Sequence, residues 1–221
     1  MKRTFYLIVV CLIALTILGG CHFKSMSGTD IIESIIHADD TGTSYYLETR
    51  HEGPADETFT TKEWRFADGR FRMEVYDQDE LQYATFYNEN EYVTIDYIER
   101  QIITYDGANP AEIMSQSPRD SMIQLLQSMY DYYDIEVEDE TELLGRSVFV
   151  LELTSKKGTK DNMKIWVDKE NWIMLKTWME FEEEWMVSEP IQFELNPSVN
   201  NDLFDLQNHE QFETVSMEDL L

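Results

Sequence analysis

Short stretches in which apolar and polar residues alternate run through most of this 221-residue chain, with turn-forming residues between them. Phe71, Met73 and Val75 alternate with charged residues, and Asp68-Gly69 provides a hairpin turn before them. Successive side chains of a strand point to opposite faces, so the pattern predicts antiparallel strands with one buried face. We expect strands near 43–52, 64–66, 70–75, 81–87, 91–98, 100–105, 134–143, 146–155, 162–168, 172–181 and 185–195. The chain is therefore predicted to form a mostly β domain whose sheet curls on itself.

Two short helices interrupt this pattern. The first follows Thr29-Asp30 as a cap, and the second begins at Ser117-Pro118, where a capping serine precedes a proline at the first helical position. The apolar faces of the two helices are formed by Ile31, Ile32, Ile35 and Ile36, and by Met122, Ile123, Leu125, Leu126, Met129 and Tyr130. The second face is wide, which predicts that this helix packs on the sheet.

The N-terminus combines a positive charge, an apolar run and a cysteine. Lys2 and Arg3 precede an apolar run over residues 5–18, and Leu18-Gly19-Gly20-Cys21 resembles the lipoprotein box. The run of 14 residues is shorter than the ~20 that span a bilayer. The resemblance implies that residues 1–20 are a signal peptide and that Cys21 carries the lipid anchor. An uncleaved anchor helix and a simple secretory signal are the alternatives.

Charge excludes one class of partner. Removing residues 1–20 takes away two of the 17 basic residues and none of the 44 acidic ones, which leaves a net charge of −29. Such an acidic surface repels phosphate backbones, so we expect no nucleic-acid binding. The acidity attracts a basic protein partner or simply keeps the domain soluble.

Residues 21–28 are expected to form the lipidated cysteine and a polar tether. The domain is then expected to stand at the outer face of the cytoplasmic membrane.

No constellation of catalytic residues is recognisable. The four histidines (His22, His37, His51 and His209) are scattered, and no Gly-x-Ser-x-Gly turn or glycine-rich phosphate loop occurs. The segment from Asp77 resembles a calcium loop, but Gln82 and Asn88 stand where glycine and glutamate are required. Cys21 is the one cysteine left after cleavage, so no disulfide is expected. We expect no enzyme, metal or cofactor, with a calcium-dependent hydrolase as the remaining enzymatic alternative.

Aromatic residues and methionines are abundant: 13% of the chain is aromatic and 11 residues are Met. On alternating strands such side chains could line a cavity for an acyl chain, or they could fill a packed core. Composition leaves both possibilities open. The candidate lining residues are Trp64, Phe66, Phe71, Met73, Val75, Phe149, Leu151, Trp166 and Met179.

The C-terminal third contains a recognisable pattern. Residues 163–176, which read MKIWVDKENWIMLK, resemble the WVDK hairpin of the LolA-like family, the periplasmic lipoprotein carriers and their relatives. Phe193-Glu194-Leu195-Asn196-Pro197 followed by Asp202-Leu203-Phe204 is similar to the closing pattern of that family. Met174 stands where many members have proline. The resemblance covers most of residues 29–206, and residues 207–221 are then expected to form an acidic tail.

The resemblance implies an unclosed antiparallel β-barrel, a strongly curved sheet whose concave face is lidded by helices. It also implies a non-enzymatic binding module. A classical carrier diffuses freely, whereas a lipid anchor at Cys21 would hold this chain at one membrane, as in the sporulation and germination lipoproteins that it also resembles. The implied function is engagement of a partner protein in envelope or spore-related processes, and the alternative is carriage of lipid or lipoprotein acyl chains.

Overall fold

The structure is a computed structural model that describes residues 26–38, 42–88, 91–105, 118–159, 161–181, 184–198, 200–206 and 209–220. Cys21, the expected tether up to residue 25 and the expected signal peptide lie outside these residues. Two α-helices are described, α1 (Gly28–Ala38) and α2 (Pro118–Tyr132), with short 3₁₀ turns at Pro54–Asp56, Asn201–Phe204 and Met217–Leu220. The strands are β1 (Tyr45–Glu52), β2 (Thr58–Arg65), β3 (Phe71–Asp77), β4 (Glu80–Asn88), β5 (Glu91–Asp96), β6 (Gln101–Thr104), β7 (Tyr133–Leu143), β8 (Arg146–Ser155), β9 (Asn162–Asp168), β10 (Met174–Phe181), β11 (Glu184–Leu195) and β12 (Glu213–Ser216).

All twelve strands belong to one sheet, in the order β12-β6-β5-β4-β3-β2-β1-β11-β10-β9-β8-β7. Two antiparallel meanders, β1–β6 and β7–β11, are joined where β1 pairs with β11. The two ends of the sheet, β12 and β7, do not pair with each other in the described part of the chain. The predicted fold class is therefore confirmed: the protein is mostly β, with an unclosed, curved antiparallel sheet and helices packed against it.

The predicted hairpin turns are confirmed as well. Gly69 has φ +90° between β2 and β3, and Gln78 and Asp79 have φ +46° and +71° between β3 and β4. Positive φ at both central residues is the backbone of the tight turn whose twist matches that of the strands it joins. The segment that resembles a calcium loop is thus a two-residue hairpin.

Helix α1 begins slightly earlier than its sequence suggests. Ser27, rather than Thr29-Asp30, caps it, because the Ser27 hydroxyl accepts from the Asp30 N–H at 3.1 Å and the Ser27 N–H donates to the Asp30 carboxylate at 3.0 Å. This reciprocal pair satisfies two N–H groups at the start of the helix. Helix α2 begins at Pro118, as predicted.

Both helices pack on one face of β8 and β9. Ile31 and Ile32 are fully buried there together with Leu126 and Met129. The strands supply Leu151, Leu153, Ile165 and Val167 to the same core. The apolar residues of α1 and α2 thus fill the space next to this half of the sheet.

The other half of the sheet departs from the predicted pattern. We expected the apolar face of β3 to be buried and its charged face to be exposed. Phe71 is buried as expected, but Arg72 and Glu74 are also only 7% exposed, and Met73 and Val75 are half-buried. Residues 200–206 and 209–216, which we name the C-terminal strap, lie across this charged face and end in β12, which pairs in parallel with β6. The sheet thus includes residues from the segment expected to be a tail.

Candidate binding surfaces

The candidate lining residues fall on different surfaces. Phe149, Leu151 and Met179 belong to the core beneath α1 and α2, where the rings of Phe149 and Trp172 are stacked with centroids 6.1 Å apart. Their neighbours there are isoleucines and leucines of this chain, so these three residues lie in a packed core.

Trp64 and Phe66 belong to a second core. Phe204 of the C-terminal strap packs edge-on against Phe66 and Phe86, with ring centroids 5.9 Å and 6.0 Å apart. Val93, Ile95 and Ile102 complete this core from β5 and β6. The strap therefore covers apolar surface of the first meander, as α1 and α2 cover that of the second.

The remaining candidates do not join either core. Trp64 of β2 pairs with Arg72 of β3, and Arg65 pairs with Phe71, so Phe71 lies on the opposite face of the sheet from Trp64. Met73 and Val75 lie on the same face as Phe71. Trp166 packs with Val148 and Leu175 in a third cluster. The structure thus divides the nine candidates into three small groups and a separate Trp166, on two faces of the sheet.

A buried polar network lies beneath the strap, and the alternation pattern did not point to it. Arg72 Nε donates to the Glu74 carboxylate at 2.8 Å, and Arg72 Nη1 donates to the Leu203 backbone oxygen at 2.6 Å. The Tyr76 hydroxyl donates to the other Glu74 oxygen at 2.6 Å; burial, and then this hydrogen bond, raise the pKa of Tyr76. Arg72 therefore ties the strap to β3.

The strap is also held at His209 and Phe212. The Tyr97 hydroxyl lies 3.0 Å from His209 Nε2, and the Phe212 ring packs edge-on against that of Tyr97 with centroids 5.8 Å apart. Burial, and next the nearby positive charge of Arg72, lower the pKa of His209. Polar and aromatic contacts thus fix the strap on both sides of residues 207–208.

His51 lies where β1, β2 and β11 meet. Its Nδ1 is 2.9 Å from the Ser188 hydroxyl, its Nε2 is 2.9 Å from the Thr61 hydroxyl, and its ring stacks on Phe59 with centroids 4.4 Å apart. Burial lowers the pKa of His51. The cluster has a histidine beside a serine, but the described neighbours of His51 include no carboxylate that would orient the ring as in a catalytic triad.

A cavity of about 440 Å³ opens beside the edge strand β7. It is lined by Glu138, Asp139, Thr141, Val150, Lys164 and Trp166. Lys164 Nζ donates to both Glu138 carboxylate oxygens, at 2.6 Å and 2.7 Å, and lies 3.7 Å from a Glu152 oxygen. The Glu138 and Asp139 carboxylates suit a cationic guest, whereas the Trp166 ring already has Lys176 Nζ 4.9 Å from its centroid.

Within the described residues, no group of three or more His, Cys, Asp and Glu side chains is placed to hold a metal ion. The described helices are also too short or too polar to span a membrane.

No family model and no curated protein matches this sequence. Solved structures do match. The Pseudomonas aeruginosa MucA/MucB complex gives a TM-score of 0.58 at 16% identity, over 85% of this chain and 64% of that one. An uncharacterized conserved protein from Thermus thermophilus gives 0.55 at 14% identity, over 85% and 98% of the two chains. A LolA superfamily protein from Nitrosomonas europaea is also a neighbour, at 0.34 and 11% identity, over 82% and 98%.

The first two matches show that the chain shares its fold with these structures. Their sequence identities are too low to assign a function to this chain. The chain spans less than two thirds of the matched chain in the MucA/MucB complex. The class of protein is therefore defined by architecture: a curved, unclosed antiparallel sheet with helices on one face.

Proposed function

We propose that this protein is an exported, lipid-anchored, non-enzymatic binding module that works by engaging a partner protein outside the cytoplasmic membrane. The observation that carries the proposal is the filled face beneath the helices. Ile31, Ile32, Leu151 and Leu153 are each fully buried there, at 0% exposure. Space that a carrier would offer to an acyl chain is here occupied by side chains of the protein itself.

Two further observations support a protein partner. The matching MucA/MucB structure is a complex of two proteins. The net charge of −27 for the whole chain also favours encounter with a basic partner, because long-range attraction raises association rates. We extend the proposal to the resemblance seen in the sequence, and place the module with the sporulation and germination lipoproteins, in an envelope or spore-related process.

Acyl-chain binding is the second candidate function, and one observation favours it. Val75 pairs with Thr61 on one side and with Tyr83 on the other, so these residues share the face that carries half-buried Met73. Tyr83 is 38% exposed, and so is Phe59, two residues along β2. A half-exposed apolar face of this kind offers contact to one side of a lipid tail.

The two candidate functions predict different molecules bound to the protein in its own cells. We expect native mass spectrometry of the purified chain to give the mass of the acylated polypeptide, and cross-linking in intact cells to add one protein of defined mass. Stoichiometric free lipid with no protein adduct would overturn the proposal in favour of carriage.

The anchor is tested separately. Cys21→Ala should abolish the incorporation of labelled fatty acid into the protein, because it removes the thiol that would carry the acyl chains. Ser25→Ala, in the same tether, is the matched control and should be labelled at the wild-type level. Labelling of Cys21→Ala at the wild-type level would refute the lipid anchor at Cys21.

A further inference from the structure

Strand β7 is the end of the sheet on the side of the second meander. It pairs with β8 along one side, and no described strand pairs with its other side. At eleven residues it is longer than β12, the four-residue strand at the opposite end. A long strand of this kind presents backbone N–H and C=O groups to which another chain can add a strand.

The inner face of β7 holds it in place. Ile135 and Val137 pair with Leu153 and Leu151 and pack against the core beneath the helices. Gly28 of α1 also approaches so closely that a Cβ there would come within 2.7 Å of the Ile135 backbone oxygen. Strand β7 is therefore held in place by α1 and the core before any partner arrives, which lowers the entropy lost on binding.

The cavity lined by Trp166 lies on the opposite face of the same strand. Asp139 pairs with Val150, and Val150 pairs with Trp166, so the three residues run across β7, β8 and β9 on one face. A strand added along β7 would place alternate side chains above this cavity. The edge and the cavity thus form one continuous surface.

Charge selects the occupant of this surface. Six of the eleven residues of β7 are acidic and none is basic: Asp134, Glu136, Glu138, Asp139, Glu140 and Glu142. Two of these acids already have a lysine partner in this chain, since Lys164 pairs with Glu138 and Lys169 pairs with Glu140. The other four carry the charge that is left for a basic chain. Acidic side chains deter pairing with a second copy of this acidic chain, and they complement a basic one.

We propose that the outer edge of β7 and the adjoining cavity dock a basic, extended segment of the partner protein. This inference rests on the proposed partner-binding function and names its surface and the chemistry of its ligand. The segment adds as a strand, and one of its lysine or arginine side chains reaches the carboxylates of Glu138 and Asp139 at the cavity.

The probe is a ten-residue fluorescent peptide that alternates lysine with valine and threonine, titrated into the detergent-extracted full chain. A control peptide of equal charge has prolines in place of the valines. Proline has no backbone N–H, so this peptide cannot form the regular hydrogen bonds of an added strand. We expect the proline peptide to bind at least about tenfold more weakly, since it keeps only the charge attraction. Equal affinities would overturn the proposal.

Two charge-reversed variants locate the site. Glu136→Lys with Glu142→Lys changes β7, and Glu80→Lys with Glu91→Lys makes the same change in charge at exposed positions on β4 and β5. We expect the affinity for the lysine peptide to fall by about tenfold or more in the β7 variant and by about twofold or less in the control variant. Equal weakening would mean that the net charge alone attracts the peptide, and it would refute a site on β7.

Two readouts complete the test. Bound peptide should slow amide exchange over residues 134–142. Thr141→Trp, which fills the cavity, should lower the affinity for the peptide. Slower exchange in another part of the chain instead would contradict the site. If the cellular partner adduct persists unchanged in the β7 variant, the docking surface is wrong and the proposed function stands. If no partner adduct forms in the wild-type chain, the proposed function fails whatever the peptide does.

Discussion

Arg146 donates two hydrogen bonds to Asp168, whose side chain is only 1% exposed. Asp168 also accepts from the Asn171 backbone N–H at 2.7 Å and from the Glu170 N–H at 3.1 Å. This carboxylate is the aspartate of the sequence resembling the WVDK hairpin, and it organises the turn between β9 and β10. Burial acts to raise the pKa of Asp168, but the hydrogen bonds from Arg146 and Asn171 outweigh burial and lower it.

Arg146→Met should therefore lower the free energy of unfolding by about 3–5 kcal/mol, because it leaves the Asp168 charge buried without its cation. Lys164→Met is the control: Lys164 pairs with Glu138, which is 39% exposed, and its loss should cost about 1 kcal/mol or less. Urea unfolding measures both. Equal losses would show that the Arg146 pair is no more than a surface contact.

The same ion pair predicts a dependence on pH. The pKa of Asp168 is lower in the folded chain than its ordinary 3.8. Its stabilisation is therefore present above that value and is lost as the pH falls through the lower, folded pKa. Asp168→Asn should flatten this part of the curve of unfolding free energy against pH, whereas Asp134→Asn, at an exposed position of β7, should preserve it.

Gly28→Ala should destabilise the protein by about 1–3 kcal/mol, although alanine is the better helix former. The added Cβ would lie 2.7 Å from the Ile135 backbone oxygen, and a backbone atom cannot turn aside. Thermal unfolding gives the sign directly. Ser34→Ala, in the same helix, is the matched control, and a Gly28→Ala protein that melts higher than wild type would disprove the close approach.

Arg72→Met should loosen the C-terminal strap, since the Leu203 oxygen loses its donor and Glu74 its buried cation. We expect amide exchange over residues 213–216 to accelerate at least about tenfold, with a loss of about 3–5 kcal/mol in unfolding free energy. Arg50→Met, which removes an exposed pair with Glu52, should alter neither. Unchanged exchange in β12 would show that the aromatic contacts alone hold the strap.

His51 should make the protein less stable in mild acid. Burial lowers the pKa of His51 below its ordinary 6.5, so the unfolded chain takes up a proton first as the pH falls from 6.5 toward the folded pKa. The folded state loses stability across that window and not above it. His51→Gln should reduce the loss below pH 6.5, whereas His37→Gln, at an exposed position of α1, is the matched control and should leave the loss as in the wild type.

Local pattern was enough to predict most of the strands and both helices. In β9, Met163, Ile165 and Val167 alternate with less apolar residues, and the structure buries all three. Such segments are predictable because a strand with one buried face shows its environment in its own sequence. The cap at Ser27 was missed because Thr29 and Asp30, two and three residues later, also have side-chain oxygens that can accept a hydrogen bond from a helix N–H.

The surfaces were much less predictable than the strands. Arg72 and Glu74 look like the exposed face of β3, and they are buried because Leu203 and Phe204 arrive from about 130 residues further along the chain. Whether Trp64 and Phe71 share a face depends on the register between β2 and β3, which alternation within one strand does not specify. The acidic residues of β7 were visible, but their position at an unpaired edge follows from topology alone.

The pairing of β1 with β11 has a consequence for how the chain is made. During synthesis β1 leaves the ribosome long before β11 exists, so one side of it has no native neighbour until nearly all of the polypeptide has emerged. A contact this distant in sequence also slows the search for the native state. The seam between β1 and β11 therefore closes late, and until it closes the chain is open to the quality control of the compartment in which it folds.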